Sequence, residues 1–420
     1  MQMASLIINV DRLVNVRATN ELLKGKDLAL LPTIENAFLL VENGKIIDFG
    51  EEKDLPESYK IGYNIIDAKG ATILPTYCDS HTHVVFAATR EEEFINKIKG
   101  LSYAEIAAKG GGILNSANKL ALASEEELYQ SAYKRIVHLI KLGTGAIEIK
   151  SGYGLTVDAE LKMLRVIKAL KQDVKIPIKA TFLGAHTYPT AFKQNHDGYL
   201  NSIIQEMLPK IAAENLADFV DVFCEDGFFN VTEMEAICLA AKKYDIIPKL
   251  HVNQLNSIGG LQKGVELNAL SLDHLETLTT HDIGFLQQAY QNGYQGVCTL
   301  LPTAAFFLRM NYQPARALID AGCAIALASD YNPGSSPSGN MNFVNALSCI
   351  QLKMLPEEVI NASTLNGAFA MQLQDIVGSI TKGKQANLIF TKPIQSLAYM
   401  PYSFGENLID KVMINGDFFS

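Results

Sequence analysis

The sequence lacks the features that mark a membrane protein, a disulfide-rich secreted protein or a zinc ribbon. No stretch of its 420 residues approaches the ~20 consecutive apolar residues that a membrane-spanning helix needs. Its six cysteines form no C-x-x-C pair and no cluster, which disfavours a cysteine zinc site or a disulfide framework. The apolar run near the amino terminus is too short for the core of a signal peptide. We therefore expect a soluble protein of the reducing cytoplasm.

Basic charge and repetition are also scarce. Lys and Arg number 36 against 45 Asp and Glu, a net charge of −9, which argues against a nucleic-acid or anionic-membrane partner. The sequence has no repeat period and no low-complexity tract. With 48% hydrophobic and 19% charged residues, the chain can build a large core, and disorder or a coiled coil is disfavoured.

The chain is β-rich at both ends and alternates between strands and helices in the middle. Asn43-Gly44 and Asn415-Gly416 each follow an apolar run, a pattern typical of hairpin turns. Apolar residues at helical spacing fill 158–172 and 231–244. Eight apolar runs in the middle have the length of buried strands: 71–81, 144–152, 176–186, 217–226, 245–253, 267–276, 293–302 and 321–330. This alternation favours a parallel (β/α)8 TIM-like barrel, with a doubly wound open sheet as the alternative.

Polar side chains follow most of the eight runs at the point where each run ends. The residues concerned are His81, His83, Lys150, Ser151, Tyr153, His186, Glu225, His251, His274 and Asp330. Five of the eight histidines are among them, and only His138, His196 and His281 are not. Because the carboxyl ends of barrel strands meet at one mouth, these side chains are candidates for a single active site.

His81-Thr82-His83 has the spacing of a pair of metal ligands. Alternate residues of a strand point to the same side, so both imidazoles can reach one point. Alone, such a pair is more often a set of core or surface histidines. With His251 and Asp330 at later strand ends, the set predicts one metal ion held by three histidines and an aspartate.

Longer strings resemble a known family. ILPTYCDSHTH and GSITKGKQANLIF are similar to segments of the amidohydrolase superfamily, and HTHVVFAATREEEF, EIKSGYGL, TFLGAHTYP, LHVNQLNSIGG and ASDYNPGSSPSGNM resemble its imidazolonepropionase family. Two departures are small. PTYCDSHTH lacks a Gly and a Pro that the family commonly has, and Asn387 replaces the usual Asp of the closing strand. Neither departure touches a predicted ligand.

The resemblance implies a fold and an activity. Residues 1–70 and 380–420 would form a small β-sandwich domain, and residues 71–379 the hydrolase barrel. The activity would be metal-dependent hydrolysis of the cyclic amide of 4-imidazolone-5-propanoate to N-formimidoyl-L-glutamate, the third step of histidine degradation. The family also suggests a homodimer.

The resemblance also concerns the metal. Binuclear relatives use a carboxylated lysine at the end of strand four, but that position carries Cys224-Glu225, and no lysine occurs between residues 211 and 241. We therefore expect one ion. Zinc is the first choice and iron the alternative, since sequence does not separate them.

The same resemblance places the substrate on Arg90, Tyr153 and His186. Arg90 would bind the propionate in two hydrogen bonds; without the resemblance, a surface arginine paired with residues 91–93 is the better interpretation. Tyr153 would otherwise be an ordinary half-buried aromatic, and His186 could instead bind the metal.

The remaining predicted site residues lie in the later strand-end segments. Gln254 is uncharged and would orient the ring amide. His274 would polarise the scissile carbonyl, or be a core histidine held by Asp273. Asp330 would be the general base. The turn of Asn332, Gly334 and Ser335 suits a small anionic group.

Some alternatives stay open. Gly110–Gly112 is either the hinge of a lid or a plain loop. A deaminase or another cyclic-amide hydrolase would share the ligand set, although Arg90, Tyr153 and Ser335 suit a carboxylate tail. A catalytically inactive barrel serving in assembly would be expected to have lost ligands, and here all four are present.

Overall fold

A computed structural model of the chain describes residues 4–101 and 112–420. Gly110 and Gly111, two residues of the predicted hinge or loop, lie outside this range. The strands are β1 (Ser5–Val14), β2 (Thr33–Glu42), β3 (Lys45–Glu51), β4 (Asn64–Asp67), β5 (Thr72–Pro75), β6 (Tyr77–Asp79), β7 (Thr144–Lys150), β8 (Ile178–Ala185), β9 (Phe219–Cys224), β10 (Ile247–Val252), β11 (Ser271–His274), β12 (Val297–Leu300), β13 (Ile325–Leu327), β14 (Leu388–Thr391), β15 (Ile409–Ile414) and β16 (Asp417–Phe418).

Helices connect and flank these strands. The α-helices are Glu91–Ile98, Ile113–Leu122, Glu125–Lys141, Val157–Asp173, His196–Asn201, Leu208–Glu214, Val231–Lys242, Gly260–Glu266, Thr280–Gln291, Pro302–Leu308, Ala315–Asp320, Met341–Ile350, Pro356–Ser363, Leu365–Phe369 and Tyr399–Tyr402. Short 3-10 turns lie at Gly25–Ala29, Glu52–Asp54, Glu57–Lys60 and Thr190–Phe192, and a π-helical turn at Ser202–Met207. Among the described residues, none of the helices combines the length and the apolar character needed to cross a membrane.

The eight strands from β6 to β13 form a parallel sheet in sequence order, and this sheet curls into the predicted barrel. Its two ends meet where Thr82 pairs with Tyr331 and where the Asp330 N–H donates to the His81 carbonyl over 3.0 Å. The barrel prediction is confirmed, and the open doubly wound sheet is not formed. The carboxyl ends of all eight strands consequently face one mouth.

The remaining eight strands form one mixed sheet from both ends of the chain. The order is β16-β15-β14-β5-β1-β2-β3, and β4 pairs with β1. It has a core of its own, which includes Ile7, Leu39, Ile73 and Leu388. The apolar run 71–81 divides between the two sheets: β5 pairs with β1 and β14, and only β6 enters the barrel.

Local sequence signals account for the element ends. Asn43 and Gly44 have φ of 51° and 76°, and Asn415 and Gly416 have 50° and 81°, the left-handed pair that a tight hairpin turn requires. The helix Glu125–Lys141 begins at a reciprocal capping box in which Ser124 and Glu127 satisfy each other's backbone N–H groups.

Candidate metal centre and substrate cleft

The four predicted metal ligands converge at the mouth of the barrel. His81 and His83 follow β6, His251 lies in β10, and Asp330 follows β13. One Asp330 oxygen, Oδ1, lies 3.6 Å from His81 Nε2 and 3.5 Å from His83 Nε2. Ligand atoms of His81, His83 and His251 all lie within 4.8 Å of one another. Four side chains from three distant parts of the sequence therefore surround one small volume.

The donor set fits a metal ion. Nε2 of His81 is buried and has no hydrogen-bond partner among the described residues, so a strong acceptor is left without a proton donor. The other nitrogen of that ring, Nδ1, lies 2.6 Å from Asp273 Oδ2. His251 repeats the arrangement, with Nδ1 2.7 Å from Asp221 Oδ2. Histidines that bind metals are held in this way, one nitrogen on a carboxylate and the other toward the ion.

The protonation of these histidines is compatible with that function. Burial lowers the pKa of His81 and of His83 well below the ordinary value. Burial also lowers the pKa of His251, although Asp221 opposes it. The three rings are consequently neutral at neutral pH, which is the form that binds a metal ion.

Asp330, itself a predicted ligand, and His274 are two titratable groups of this centre with raised pKa values. Burial raises the pKa of Asp330 to about 6, against the opposing charge of His274. Burial opposes the charged form of His274, but Glu276, whose Oε1 lies 3.3 Å from His274 Nδ1, outweighs it and raises that pKa. Asp330 and His274 both have a left-handed backbone, with φ of 52° and 85° respectively. This conformation is uncommon and clusters at functional sites.

A cavity of about 770 Å³ opens above this centre. Its walls include every residue predicted to contact the substrate: Arg90, Tyr153, His186, Gln254, Asn332, Gly334 and Ser335. His83, His251, His274 and Asp330 line it as well, whereas His81 lies beneath. The structure thus brings all the predicted site residues to one cleft, and their individual roles stay predictions.

Arg90 lies at the side of the cleft and is not an ordinary surface arginine. Its Nε donates to Ser116 Oγ over 2.9 Å, and Nη1 is 4.0 Å from Glu93 Oε2. Its Nη2 is buried without a hydrogen-bond partner among the described residues. The pairing with a nearby glutamate is therefore present but loose, and the N–H donors of Nη2 have no acceptor among the described residues.

The turn that carries Tyr153 is fixed from below by a buried carboxylate. Glu160, in the helix Val157–Asp173, accepts hydrogen bonds from the backbone N–H groups of Gly152, Gly154 and Leu155 over 3.1, 2.7 and 3.0 Å. The potential metal ligands form two groups, His81 with His83 and His251, and His81 with His274 and Asp330, and His186 belongs to neither. Its Nδ1 lies 3.0 Å from the Gly152 carbonyl, so the ring is attached to this same turn, facing the cleft.

The turn after Asp330 is stabilised by the side chain of Asn332, which is one of its own residues. Asn332 Oδ1 accepts from the N–H groups of Gly334 and Ser335, both over 2.8 Å, and Asn332 Nδ2 donates to the Asp330 carbonyl over 2.6 Å. Ser335 Oγ donates to Asp330 Oδ2 over 3.2 Å. The amide donors of this turn are consequently engaged by Asn332, and the turn orients Asp330.

Three carboxylates contact the site histidines, and of these only Asp273 is predicted from the sequence, as a partner of His274; the hydrogen-bond partner of His274 is instead Glu276. Asp221, Asp273 and Glu276 contact His251, His81 and His274 respectively. The available signal is a charged residue inside or just after an apolar strand, as in FVDVF and SLDHLE, because a buried charge needs a partner. That signal does not say which histidine each carboxylate contacts.

Comparison with known proteins gives the family. The sequence model of the amidohydrolase family matches residues 72–418. An imidazolonepropionase of Flavobacterium johnsoniae is 54% identical over 415 residues, 99% of each chain. An imidazolonepropionase of Clostridium tetani is 42% identical over 394 residues, covering 94% of this chain and 93% of the relative.

Solved structures agree on the fold. A guanine deaminase of E. coli has a TM-score of 0.72 at 14% identity, covering 100% of this chain and 99% of that one. An adenosine deaminase of Xanthomonas campestris, solved with bound zinc, has a TM-score of 0.70 at 17% identity, covering 99% and 92%. At such identities the likeness concerns the fold alone.

Proposed function

Since the chain belongs to the amidohydrolase family and, within it, to the imidazolonepropionases, we propose that it hydrolyses the cyclic amide of 4-imidazolone-5-propanoate to N-formimidoyl-L-glutamate, the third step of histidine degradation. The observation that carries this proposal is the arrangement of the cleft. Three neutral histidines and Asp330 converge at its floor, and the unpaired Nη2 of Arg90 lies at its side. A planar ring with a carboxylate tail has matching partners at both places.

The metal is held by His81, His83, His251 and Asp330 in this proposal. Zinc is the first choice because the ligands are nitrogen and oxygen atoms, and iron is the alternative. Such an ion acidifies water and polarises a carbonyl oxygen. The remaining chemistry belongs to side chains of the cleft.

Asp330 is the general base and His274 the electrophile. The Asp330 carboxylate takes the proton of the attacking water and passes it to the ring nitrogen as the C–N bond breaks. His274, whose charged form Glu276 favours, donates a hydrogen bond to the oxygen of the scissile carbonyl, where negative charge develops. No covalent intermediate with the protein is needed, so no nucleophilic serine or cysteine takes part.

The substrate is held by the rest of the cleft. Arg90 binds the propionate, and Tyr153 and His186 lie against the ring. Gln254 orients the ring amide, and Asn332, Gly334 and Ser335 bind the substrate from the turn that also orients Asp330. The homodimer and the cytoplasmic location stay predictions.

The test supplies the purified, metal-loaded chain with the product of urocanase and follows the imidazolone absorbance. We expect the absorbance to disappear, N-formimidoyl-L-glutamate to accumulate and no ammonia to be released. Chelation should abolish turnover, and Zn²⁺ or Fe²⁺ should restore it. Release of ammonia would instead support a deaminase, and no turnover by the metal-loaded chain would support an inactive barrel.

A further inference from the structure

A layer of buried charge lies beneath the histidines. Lys150, at the end of β7, points into the barrel and is fully inaccessible to solvent. Its Nζ lies 2.8 Å from Glu148 Oε1 and 2.9 Å from Asp221 Oδ2. A third carboxylate oxygen, Asp273 Oδ2, is 3.7 Å away. An ammonium group has three donors, and here three carboxylates surround it.

Two of these carboxylates also contact the proposed metal ligands, through the same oxygen atoms. Asp221 Oδ2 faces both Lys150 and His251 Nδ1, and Asp273 Oδ2 faces both Lys150 and His81 Nδ1. One lysine is therefore connected to two histidines of the metal centre, each through a single oxygen. Glu148 contacts none of the four ligands in the described hydrogen bonds and ion pairs.

We propose that Lys150 is the positioning residue of the metal centre, where its ammonium group fixes Asp221 and Asp273 and thereby orients His251 and His81 toward the ion. This inference rests on the metal site of the proposed function. Asp221 Oδ1 also accepts the backbone N–H of His251 over 3.0 Å, and Asp273 Oδ1 accepts from Ser271 Oγ. Lys150 fixes the other oxygen of each carboxylate, Oδ2, which is the one that faces the imidazole. The rings then keep Nδ1 as the donor and Nε2 as the acceptor.

Charge supports the same role. Burial opposes the charged form of Lys150, but Asp221, Glu148 and Asp273 outweigh it and raise its pKa above the ordinary value, so the lysine is an ammonium. Carboxylation of Lys150 would instead place a fourth anion among three carboxylates. Burial raises the pKa of Glu148, against the opposing charges of Lys150 and Lys249, so the ammonium of Lys150 also favours the ionised form of its carboxylate neighbours.

The competing explanation is that Lys150 only neutralises Glu148. The double substitution Glu148→Gln/Lys150→Met distinguishes the positioning role from this competing explanation, because it removes the lysine together with the carboxylate that the lysine would neutralise. Lys249→Met is the matched control. Lys249 is another fully buried lysine of the barrel, and its Nζ donates to the Ala370 carbonyl over 2.9 Å. Its charge acts on Glu148, so its removal tests the loss of a buried positive charge near that carboxylate.

The measurement is the Zn²⁺ dissociation constant of each metal-free protein, in competition with a chromophoric chelator. We expect Lys150→Met and the double variant to bind Zn²⁺ about 10–100-fold more weakly than wild type, the usual effect of losing a partner behind the ligands. Their Co²⁺-loaded forms should also have altered visible absorption. Lys249→Met should match wild type in both measurements.

Several outcomes would overturn the inference. A double variant with the wild-type dissociation constant and Co²⁺ spectrum would mean that Lys150 only balances Glu148. Lys150 variants that do not fold by near-ultraviolet circular dichroism, beside a folded Lys249→Met, would assign the lysine a structural role. A wild-type chain that binds neither Zn²⁺ nor Fe²⁺ would overturn the proposed function as well. If wild type binds Zn²⁺ but does not open the substrate, only the proposed function fails.

Discussion

His81 Nδ1 lies 2.6 Å from Asp273 Oδ2, although the two residues are 192 positions apart in the chain. The contact crosses the barrel from the segment after β6 to β11. Because the carboxylate fixes Nδ1, the opposite nitrogen of His81 faces Asp330 and the cleft. The metal centre is thus held by side chains on several strands, and the following experiments test its parts.

Substitution of a metal ligand should remove the ion without unfolding the barrel. We expect His81→Ala and His251→Ala to lose bound metal and turnover, because each supplies one of only four ligands. Metal content by mass spectrometry and circular dichroism of the purified proteins provide the check. His281→Ala is the control, since His281 is exposed and belongs to neither group of potential metal ligands. Full metal content in either ligand variant would contradict the assignment.

Asp330→Asn should separate metal binding from proton transfer. The amide still offers an oxygen atom but cannot accept a proton, so we expect turnover to fall by about 10²–10⁴-fold with part of the metal retained. The rate is to be divided by the metal content of each preparation. Near-normal turnover of the metal-loaded variant would show that another group is the base.

Arg90→Lys should weaken substrate capture. Lysine keeps the charge but not the paired hydrogen bonds, and we expect KM to rise about tenfold or more, as the loss of one charge-assisted hydrogen bond would predict. Metal content should not change. An analogue with a neutral group in place of the propionate is the control, and it should react poorly with both proteins. An equal slowing of both substrates would place Arg90 in the ring chemistry or the fold.

Gly334→Ala should disturb the position of the Arg90 guanidinium without changing Arg90 itself. A Cβ at Gly334 would lie 2.5 Å from Arg90 Nη1, so the guanidinium must shift. We expect a higher KM for the carboxylate substrate, while the melting temperature stays within a few degrees of wild type because the displaced atom ends a flexible side chain. Gly284→Ala is the matched control, since its Cβ would meet no atom within 4 Å. An unchanged KM would mean that Arg90 does not bind the substrate from this position.

The fold could be predicted from sequence because its signals are local. Alternating strand and helix patterns give the barrel, and the Asn-Gly pairs give the hairpins. The boundary between the two sheets could not be predicted in this way. Residues 72–75 and 77–79 are equally buried, so an uninterrupted apolar run does not reveal that it passes from one sheet to another.

From the sequence, only the part of the candidate site that lies at the ends of strands could be predicted. His81, His251 and Asp330 stand out because they end apolar runs. Lys150 also ends an apolar run, but its contact with Asp221 could not be predicted, because that contact depends on barrel curvature, which brings inward-facing side chains of alternate strands into one layer. β7 and β9 are such alternate strands. The local sequence of either strand does not indicate that its side chains contact those of the other.

The pairing of β5 with β14 has a consequence for biosynthesis. β14 (Leu388–Thr391) pairs with one edge of β5 (Thr72–Pro75). However, β14 leaves the ribosome only after all eight strands of the barrel. Until then β5 presents an unpaired edge, which is prone to association with other chains. The histidine pair begins a few residues after β5, so the segment that bears it is anchored late. A nascent chain should therefore acquire its metal only after the barrel has been translated.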